Sequence, residues 1–325
     1  MSLKDLKTSL TEEVEKILSS DFKIIIKETD YVPSIDDSDI TYPNLLTGEQ
    51  KCKLIETCVL YIDIRRSTDL NLSHRRDTMA KLYTAFVRSM ARAASYHGGK
   101  VRNIIGDRLM VVFDKEDCYR KAVDTAILMN SVSQYILDKQ FNKNEIKCGI
   151  GIDYGKMLVT KAGIIKQGVD NTSYKSLVWL GSPANIASKL TDVANKKDAK
   201  IVKTVTPTVR EGHQYPQDKG EWTWFEFTQE EFLKERIKPH YTGVINHVNK
   251  YFKSFYASST TSTKTTTQST PPILMTSQVF NEFKKLHPDR DCIKQELFKK
   301  QSSIDVPSYS GDIYGGDVIF TSFKD

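Results

Sequence analysis

Two aspartates carry the strongest chemical signal in this 325-residue chain. Asp63 stands at the end of the apolar run Ile55–Ile64, and Asp107 sits in the turn Ile105-Gly106-Asp107-Arg108. If these elements are neighbours, both carboxylates lie at adjacent strand tips. That arrangement suits Mg²⁺, a hard octahedral cation held by one or two carboxylates together with substrate phosphates. A pair of such ions, about 3.5–4 Å apart, activates an attacking oxygen and stabilises charge developing on phosphorus. The loop after Asp63 adds backbone N–H groups and the hydroxyls of Ser67 and Thr68, which can cradle phosphates where the next helix begins. Either aspartate alone also fits a plainer role, in a turn or as a helix cap. The pair is what points to phosphoryl chemistry.

The elements that must position the pair are legible from periodicity. Residues 3–19 form an amphipathic helix, with Leu3, Leu6, Leu10, Val14 and Leu18 at helical spacing. Ile55–Ile64 reads as a buried strand, and Asp77–Tyr96 as a helix stopped by Gly98-Gly99. Lys100–Ile105 and Leu109–Phe113 make a hairpin around Gly106-Asp107-Arg108, and Glu116–Lys139 is helical. Lys147–Asp153 and Lys156–Ala162 suggest a second hairpin through Tyr154-Gly155, followed by a strand at Ser176–Leu180 and a helix at Ser182–Ala194. The order β-α-β-β-α-β predicts an α+β, ferredoxin-like sheet with its helices on one face.

Composition narrows the setting without naming a function. Hydrophobic content of 39%, charged content of 27% and a net charge of +6 describe an ordinary globular chain. That charge is too mild for a nucleic-acid groove, and no apolar run reaches the roughly 20 residues of a membrane span. Nucleic acid and membrane are therefore not expected partners. Cys52, Cys58, Cys118, Cys148 and Cys292 lack CxxC spacing, so free thiols in a cytoplasmic protein are expected. Residues 258–270 are dense in Ser and Thr and precede Pro271-Pro272, which reads as a flexible connection. Trp222, Trp224 and Phe225 read as a small core or as an exposed sensing surface, the core being the preferred reading.

Four strings together resemble the catalytic domain of class III nucleotidyl cyclases. They run from Val59 to Thr68, from His97 to Met110, from Gly149 to Lys156, and from Trp179 to Leu190. The resemblance implies that Asp63 and Asp107, with the Ile64 carbonyl, hold two Mg²⁺ or Mn²⁺ ions. It places Thr68 beside the triphosphate and Lys156 at a phosphate-binding position more often occupied by Arg. Asn185 matches the asparagine that positions the ribose, and Lys189 replaces the family's transition-state arginine. Lys keeps the charge there but loses the planar fork. The resemblance also implies a head-to-tail homodimer, with metal aspartates from one subunit facing base-reading and transition-state residues from the other.

Base choice in this family is read mainly at two positions, which here are Asn103 and Val178. Neither carries a purine-reading residue. The Asn103 carboxamide can pair with cytosine or uracil by choosing its flip, and Val178 removes a polar partner that a purine edge would require. Tyr61, where Phe is frequent, narrows the pocket further. The combination resembles the bacterial pyrimidine cyclases of Pycsar anti-phage systems, which convert CTP or UTP into cyclic CMP or cyclic UMP for a separate effector protein. An adenylate cyclase and a degenerate nucleotide-binding module are the alternatives. A diguanylate cyclase would need a Glu where Arg108 follows Asp107. The expected organisation is an N-terminal helix and loop (1–50), a catalytic core (51–195), an insertion (196–272) and a closing segment (273–325). In the alternative, the tail is a C-terminal sensor.

Overall fold

A computed structural model describes residues 2–141, 145–162, 165–166, 169–170 and 176–324. The chain divides into two compact units, one of residues 1–196 with 269–325, the other of residues 197–268.

The first unit opens with α1 (Leu3–Leu18), where Ser2 and Asp5 form a reciprocal capping box, and β1 (Lys23–Thr29). There follow β2 (Glu49–Ile64), α2 (Ser67–Ser73), α3 (Arg76–Tyr96), β3 (Lys100–Ile105), β4 (Arg108–Val112) and α4 (Cys118–Val132). A π-turn leads from α4 into α5 (Asp138–Phe141), and then come β5 (Cys148–Ala162), the short pair β6 (Ile165–Lys166) and β7 (Val169–Asp170), β8 (Ser176–Leu180) and α6 (Ser182–Val193). The second unit contains β9 (Lys197–His213), β10 (Thr223–Thr228), α7 (Gln229–Glu231), β11 (Ile237–Pro239), β12 (Ile245–His247) and β13 (Phe252–Ser269). The chain returns to the first unit with β14 (Ile273–Thr276), α8 (Ser277–Leu286), α9 (Asp291–Lys294), β15 (Lys299–Lys300) and β16 (Ile313–Gly316).

The main sheet runs β15-β16-β14-β5-β2-β4-β3, and its β5-β2-β4-β3 portion is the antiparallel β-α-β-β-α-β core. Period-two alternation along β2 sorts the packing. Cys58, Leu60, Ile62 and Ile64 enter one core with Leu82, Phe86 and Met90 of α3 and Ala122, Ala126 and Met129 of α4. Ile55 and Val59 face the other way, where Ala184 and Ala187 of α6 cover them. Gly149 and Gly151 let α6 lie directly on β5. A Cβ on Gly151 would stand 2.2 Å from the Ala187 carbonyl, and one on Gly149 would stand 2.9 Å from the Arg65 guanidinium carbon.

Three local expectations are corrected. Tyr154-Gly155 is no turn: β5 continues through it, because β2 offers partners from Ile64 opposite Cys148 to Lys53 opposite Val159. Gly155 (φ 156°) is needed instead for the approach of Pro183, 2.9 Å from its absent Cβ. The Ser/Thr-rich run lies in strand β13, in keeping with the β-branched side chain of Thr. Trp222, Trp224 and Phe225 are 43%, 41% and 36% exposed rather than a core. All five cysteines are buried and free. Among the described residues no helix is long and apolar enough to cross a membrane.

The second unit is organised around polar side chains. Its three-stranded sheet, β10-β9-β13, buries Glu211 and His213 of β9 completely or nearly so. His247 Nδ1 accepts from the Asn249 N–H at 3.0 Å, so its Nε2 carries the proton and donates to Glu211 Oε2 at 2.6 Å. His213 Nε2 lies 2.9 Å from the other carboxylate oxygen, with Arg236 3.2 Å away.

In the first unit, β14 meets β5 in parallel, and Thr276 Oγ1 donates to Asp153 Oδ1 at 2.7 Å. Burial pushes the Asp153 carboxyl from 3.8 up to about 6. The fold therefore favours the protonated acid, so this residue's contribution is full at low pH and is lost as pH rises from about 4 through 6. Asp153→Asn should gain stability relative to wild type across that interval and hold the gain above it, by up to ~3 kcal/mol at about 1.36 kcal/mol per unit. Urea unfolding of both proteins at pH 4.5 and pH 8 checks this; an equal difference at the two pH values would contradict it.

Candidate active site

Asp63 and Asp107 meet because their elements are adjacent. Asp63 pairs with Arg108 across β2 and β4, while Gly106 and Asp107 make the two-residue turn between β3 and β4. Gly106 takes φ 60°, the left-handed first position of a type II′ hairpin. Arg66, also left-handed at φ 57°, turns the chain out of β2 into α2 and brings Ser67 beside Asp107. Asp107 is held above the usual carboxylate range by burial first and the Asp63 charge second, opposed by a hydrogen bond with Ser67. Its Oδ2 is buried without a hydrogen-bond partner. Asp63 and Asp107 set two carboxylates close together, and a hard divalent cation fits such oxygen donors by charge and by ligand type.

Two arginines complete this end of the sheet, and sequence reasoning passed over both. Asp63 Oδ2 accepts from Arg65 Nη2 at 3.0 Å and from Arg108 Nη2 at 2.8 Å. Each also reaches α6: Arg65 Nη1 donates to the Asp192 carbonyl at 3.1 Å, and Arg108 Nη1 to Ser188 Oγ at 2.9 Å. Arg108 additionally pairs with the Asp192 carboxylate. The available signal was local: Arg108 directly follows Asp107 and falls opposite Asp63 in an antiparallel register.

The remaining candidates occupy other places. Tyr61, two residues before Asp63, shares its face of β2 and packs with Met110 and Ala184. Burial raises the Tyr61 phenol above its ordinary range. Asn103 of β3 lies opposite Met110, which lies opposite Tyr61, so the three share one row across the sheet; Asn103 itself is exposed. Thr68 is exposed on the first turn of α2. Lys156 lies midway along β5, opposite Glu56 of β2, and Val178 lies on β8, opposite Thr160 of β5. Lys156 lines a small cleft with Glu28, Asp30, Glu56 and Lys115, roughly 20 Å along the strand from the rung of Asp63. Asn185 is exposed near the start of α6. Lys189 donates to the Pro307 carbonyl at 2.9 Å and to Ser308 Oγ at 3.2 Å. One chain thus brings together Asp63, Ile64, Ser67 and Asp107. It leaves Lys156 and Val178 apart from them.

Residues 50–223 match the family model described as the adenylate and guanylate cyclase catalytic domain. The chain belongs to this family. As a nucleotidyl cyclase it is similar to a uridylate cyclase of Gulbenkiania mobilis, with 31% identity over 218 residues, 63% of this chain and 79% of that protein. A uridylate cyclase of Burkholderia cepacia is 28% identical over 195 residues, 58% of this chain and 80% of the relative. A cytidylate cyclase of Staphylococcus aureus is 30% identical over 135 residues, 38% and 32% of the two chains.

The strained carboxylate of this cyclase has a measurable consequence. Replacing it by Asp107→Asn removes a charge that burial and Asp63 both oppose. The variant should melt higher than wild type at pH 8 in EDTA, by about 1–2 °C for ~1 kcal/mol relieved in a chain of this length. It should also lose the rise in Tm that Mn²⁺ produces in wild type. Calorimetry with and without Mn²⁺ decides; a variant that melts lower in EDTA would overturn the reading of Asp107 as strained.

Proposed function

We propose that this cyclase acts on a pyrimidine nucleotide, converting UTP or CTP to the 3′,5′-cyclic monophosphate and pyrophosphate. The observation that carries this is the pair of base-reading positions. Asn103 presents an exposed carboxamide that offers a pyrimidine edge both a donor and an acceptor, and Val178, apart from it on β8, adds no polar partner for a purine. Tyr61, in the same row as Asn103, reduces the depth open to a base. Relatives named uridylate cyclase cover more of the chain than the cytidylate cyclase does, which favours UTP over CTP.

The active unit is read as a head-to-tail homodimer, because one chain holds two sets of candidates at separate places. A second copy would set Asn103, Val178, Asn185 and Lys189 against the carboxylates of the first. Mg²⁺ or Mn²⁺, held by Asp63, Asp107 and the Ile64 carbonyl, would supply charge neutralisation at the triphosphate and lower the pKa of the ribose 3′-hydroxyl. The 3′-hydroxyl gives up its proton to solvent as its oxygen bonds the α-phosphorus, the bond from that phosphorus to the bridging oxygen breaks, and pyrophosphate leaves. Ser67 and Thr68 hold the β- and γ-phosphates, and Asn185 orients the ribose; Lys156, in its own cleft with Glu56 and Lys115, is too far along β5 to share that task within one chain. Lys189 exchanges Pro307 and Ser308 for the charge that grows on the phosphates, as a point charge rather than a fork. The cyclic product is a second messenger for a separate effector protein, in the manner of anti-phage signalling.

Incubation with each of the four nucleoside triphosphates and Mn²⁺, followed by chromatographic identification of products, tests this reading. Cyclic UMP or cyclic CMP should dominate; cyclic AMP as main product would refute it. Asp63→Ala should lower turnover by about a thousandfold, in the range seen when a key electrostatic group is removed. Asn103→Ala should lower kcat/KM for the pyrimidine substrate by roughly 5–150-fold, the equivalent of about 1–3 kcal/mol for an unpaired polar edge.

A further inference from the structure

We propose that Arg108 is a positioning residue that couples the two nucleotide sites of the dimer, an inference that rests on the head-to-tail reading above. The guanidinium spans two structures with different destinations. On one side it holds Asp63 Oδ2 at 2.8 Å. On the other it holds Ser188 Oγ at 2.9 Å and the Asp192 carboxylate, both on the last turns of α6. Asn185 and Lys189 stand on that same helix. In a head-to-tail pair, Asp63 serves one site while the Asn185 and Lys189 of the same chain serve the other. Arg108 therefore ties the carboxylate end of one site to the ribose-positioning helix of its neighbour.

The charges around this link favour exchange. Asp63, Asp107 and Asp192 face Arg65 and Arg108, leaving one negative charge in excess where a cation–triphosphate complex is to bind. Asp63 Oδ2 already accepts two guanidinium bonds, so binding at Asp63 competes with Arg108 for the same oxygen. Arg65 does not offer the same exchange. It is nearly buried and grips α6 through the Asp192 main chain, whereas Arg108 is about a quarter exposed and Asp192 about half exposed. Occupation of the first site weakens the pull of Arg108 on α6. The helix, a single twelve-residue element tethered at its C-terminal end through Asn195, then pivots about that end and carries Asn185 and Lys189 with it. Because the resting clamp draws α6 towards its own Asp63, its release favours engagement of the second nucleotide, and the coupling is positive.

The test uses full-length protein and 3′-deoxy-UTP with Mn²⁺, a probe that binds without reacting, in equilibrium calorimetry. Wild type should bind cooperatively, with a Hill coefficient clearly above one. Arg108→Gln and Asp192→Asn should each bind hyperbolically. The second variant alters only an exposed carboxylate and keeps the experiment decisive if the first fails to fold. A parallel mixture of Asp63→Ala with Asn185→Ala chains should recover about a quarter of wild-type UTP turnover, since half the random dimers carry one intact site. Recovery together with hyperbolic wild-type binding, or with cooperativity that survives in both variants, would overturn the coupling and leave the dimer standing. Failure of the mixture to recover any turnover would overturn both.

Discussion

Two carboxylates at the tips of neighbouring strands repel each other, and much of the first unit can be understood as the means of holding them there. Asp107 is half-buried with one oxygen unpartnered, and Asp63 is kept in place by two guanidinium groups. A hairpin turn alone would let the carboxylates splay. What prevents it is the length of β2, which pairs with β5 from Lys53 to Ile64 while β4 grips it from Val59 to Asp63. The apolar core beneath, from Cys58 to Ile64 against α3 and α4, fixes β2 from behind. Strain at the tip is tolerated because the strand carrying it is among the most thoroughly packed in the molecule.

How much of this was legible in the sequence follows from the range of the interactions. Asp63 and Asp107 could be found because each sits at the end of a short, strongly patterned element, and the β-α-β-β-α-β order makes those ends neighbours. Arg65 and Arg108 were not found. Their partner Asp192 is far away in sequence; for Arg108 the adjacent Asp107 and the register opposite Asp63 were a local signal, whereas nothing local marks Arg65 as one that will reach α6. Tyr154-Gly155 misled for a related reason. Glycine after an aromatic is a turn signal in isolation, but here the pairing along β2 overrides it and the glycine serves Pro183 instead. The Gly149-Ile150-Gly151-Ile152 alternation was read as a motif; its physical content, a smooth track for α6 on one face and isoleucines for the core on the other, needed the helix in place.

The aromatic stretch of the second unit shows the same limit from another side. Trp222, Trp224 and Phe225 look like a core because large aromatics usually are one. Trp222 and Trp224 instead stack on each other with ring centres 5.5 Å apart on the sheet surface, and the Arg210 guanidinium lies 5.8 Å over the Trp224 ring. The buried centre belongs to Glu211, satisfied by His213, His247 and Arg236. Burial of a charge is permissible only where its partners converge, and those partners come from three separate segments that no short pattern links.

The inserted unit raises a question of tolerance: a sheet interrupted after α6 must resume at β14 without losing register. The junction supplies the answer. Asn195 turns the chain with φ 51°, and its N–H donates to the Pro271 carbonyl at 3.0 Å. Thr270 N–H donates to the Lys196 carbonyl at 2.9 Å, and Lys196 N–H to Thr270 Oγ1 at 2.9 Å. Thr270 Oγ1 in turn donates to the Val193 carbonyl at 2.6 Å. Entry and exit of residues 197–268 are thus zipped together, so the closure entropy of the excursion is met locally rather than by the sheet. Asn195 Nδ2 also donates to the Cys148 carbonyl at 2.9 Å, at the first residue of β5. The neck therefore anchors the C-terminal end of α6 to the start of β5, beside the end of β2 that the Arg65 and Arg108 clamp holds. A helix secured so firmly at one end moves, if it moves, by pivoting there, and its free end is the one that carries Asn185.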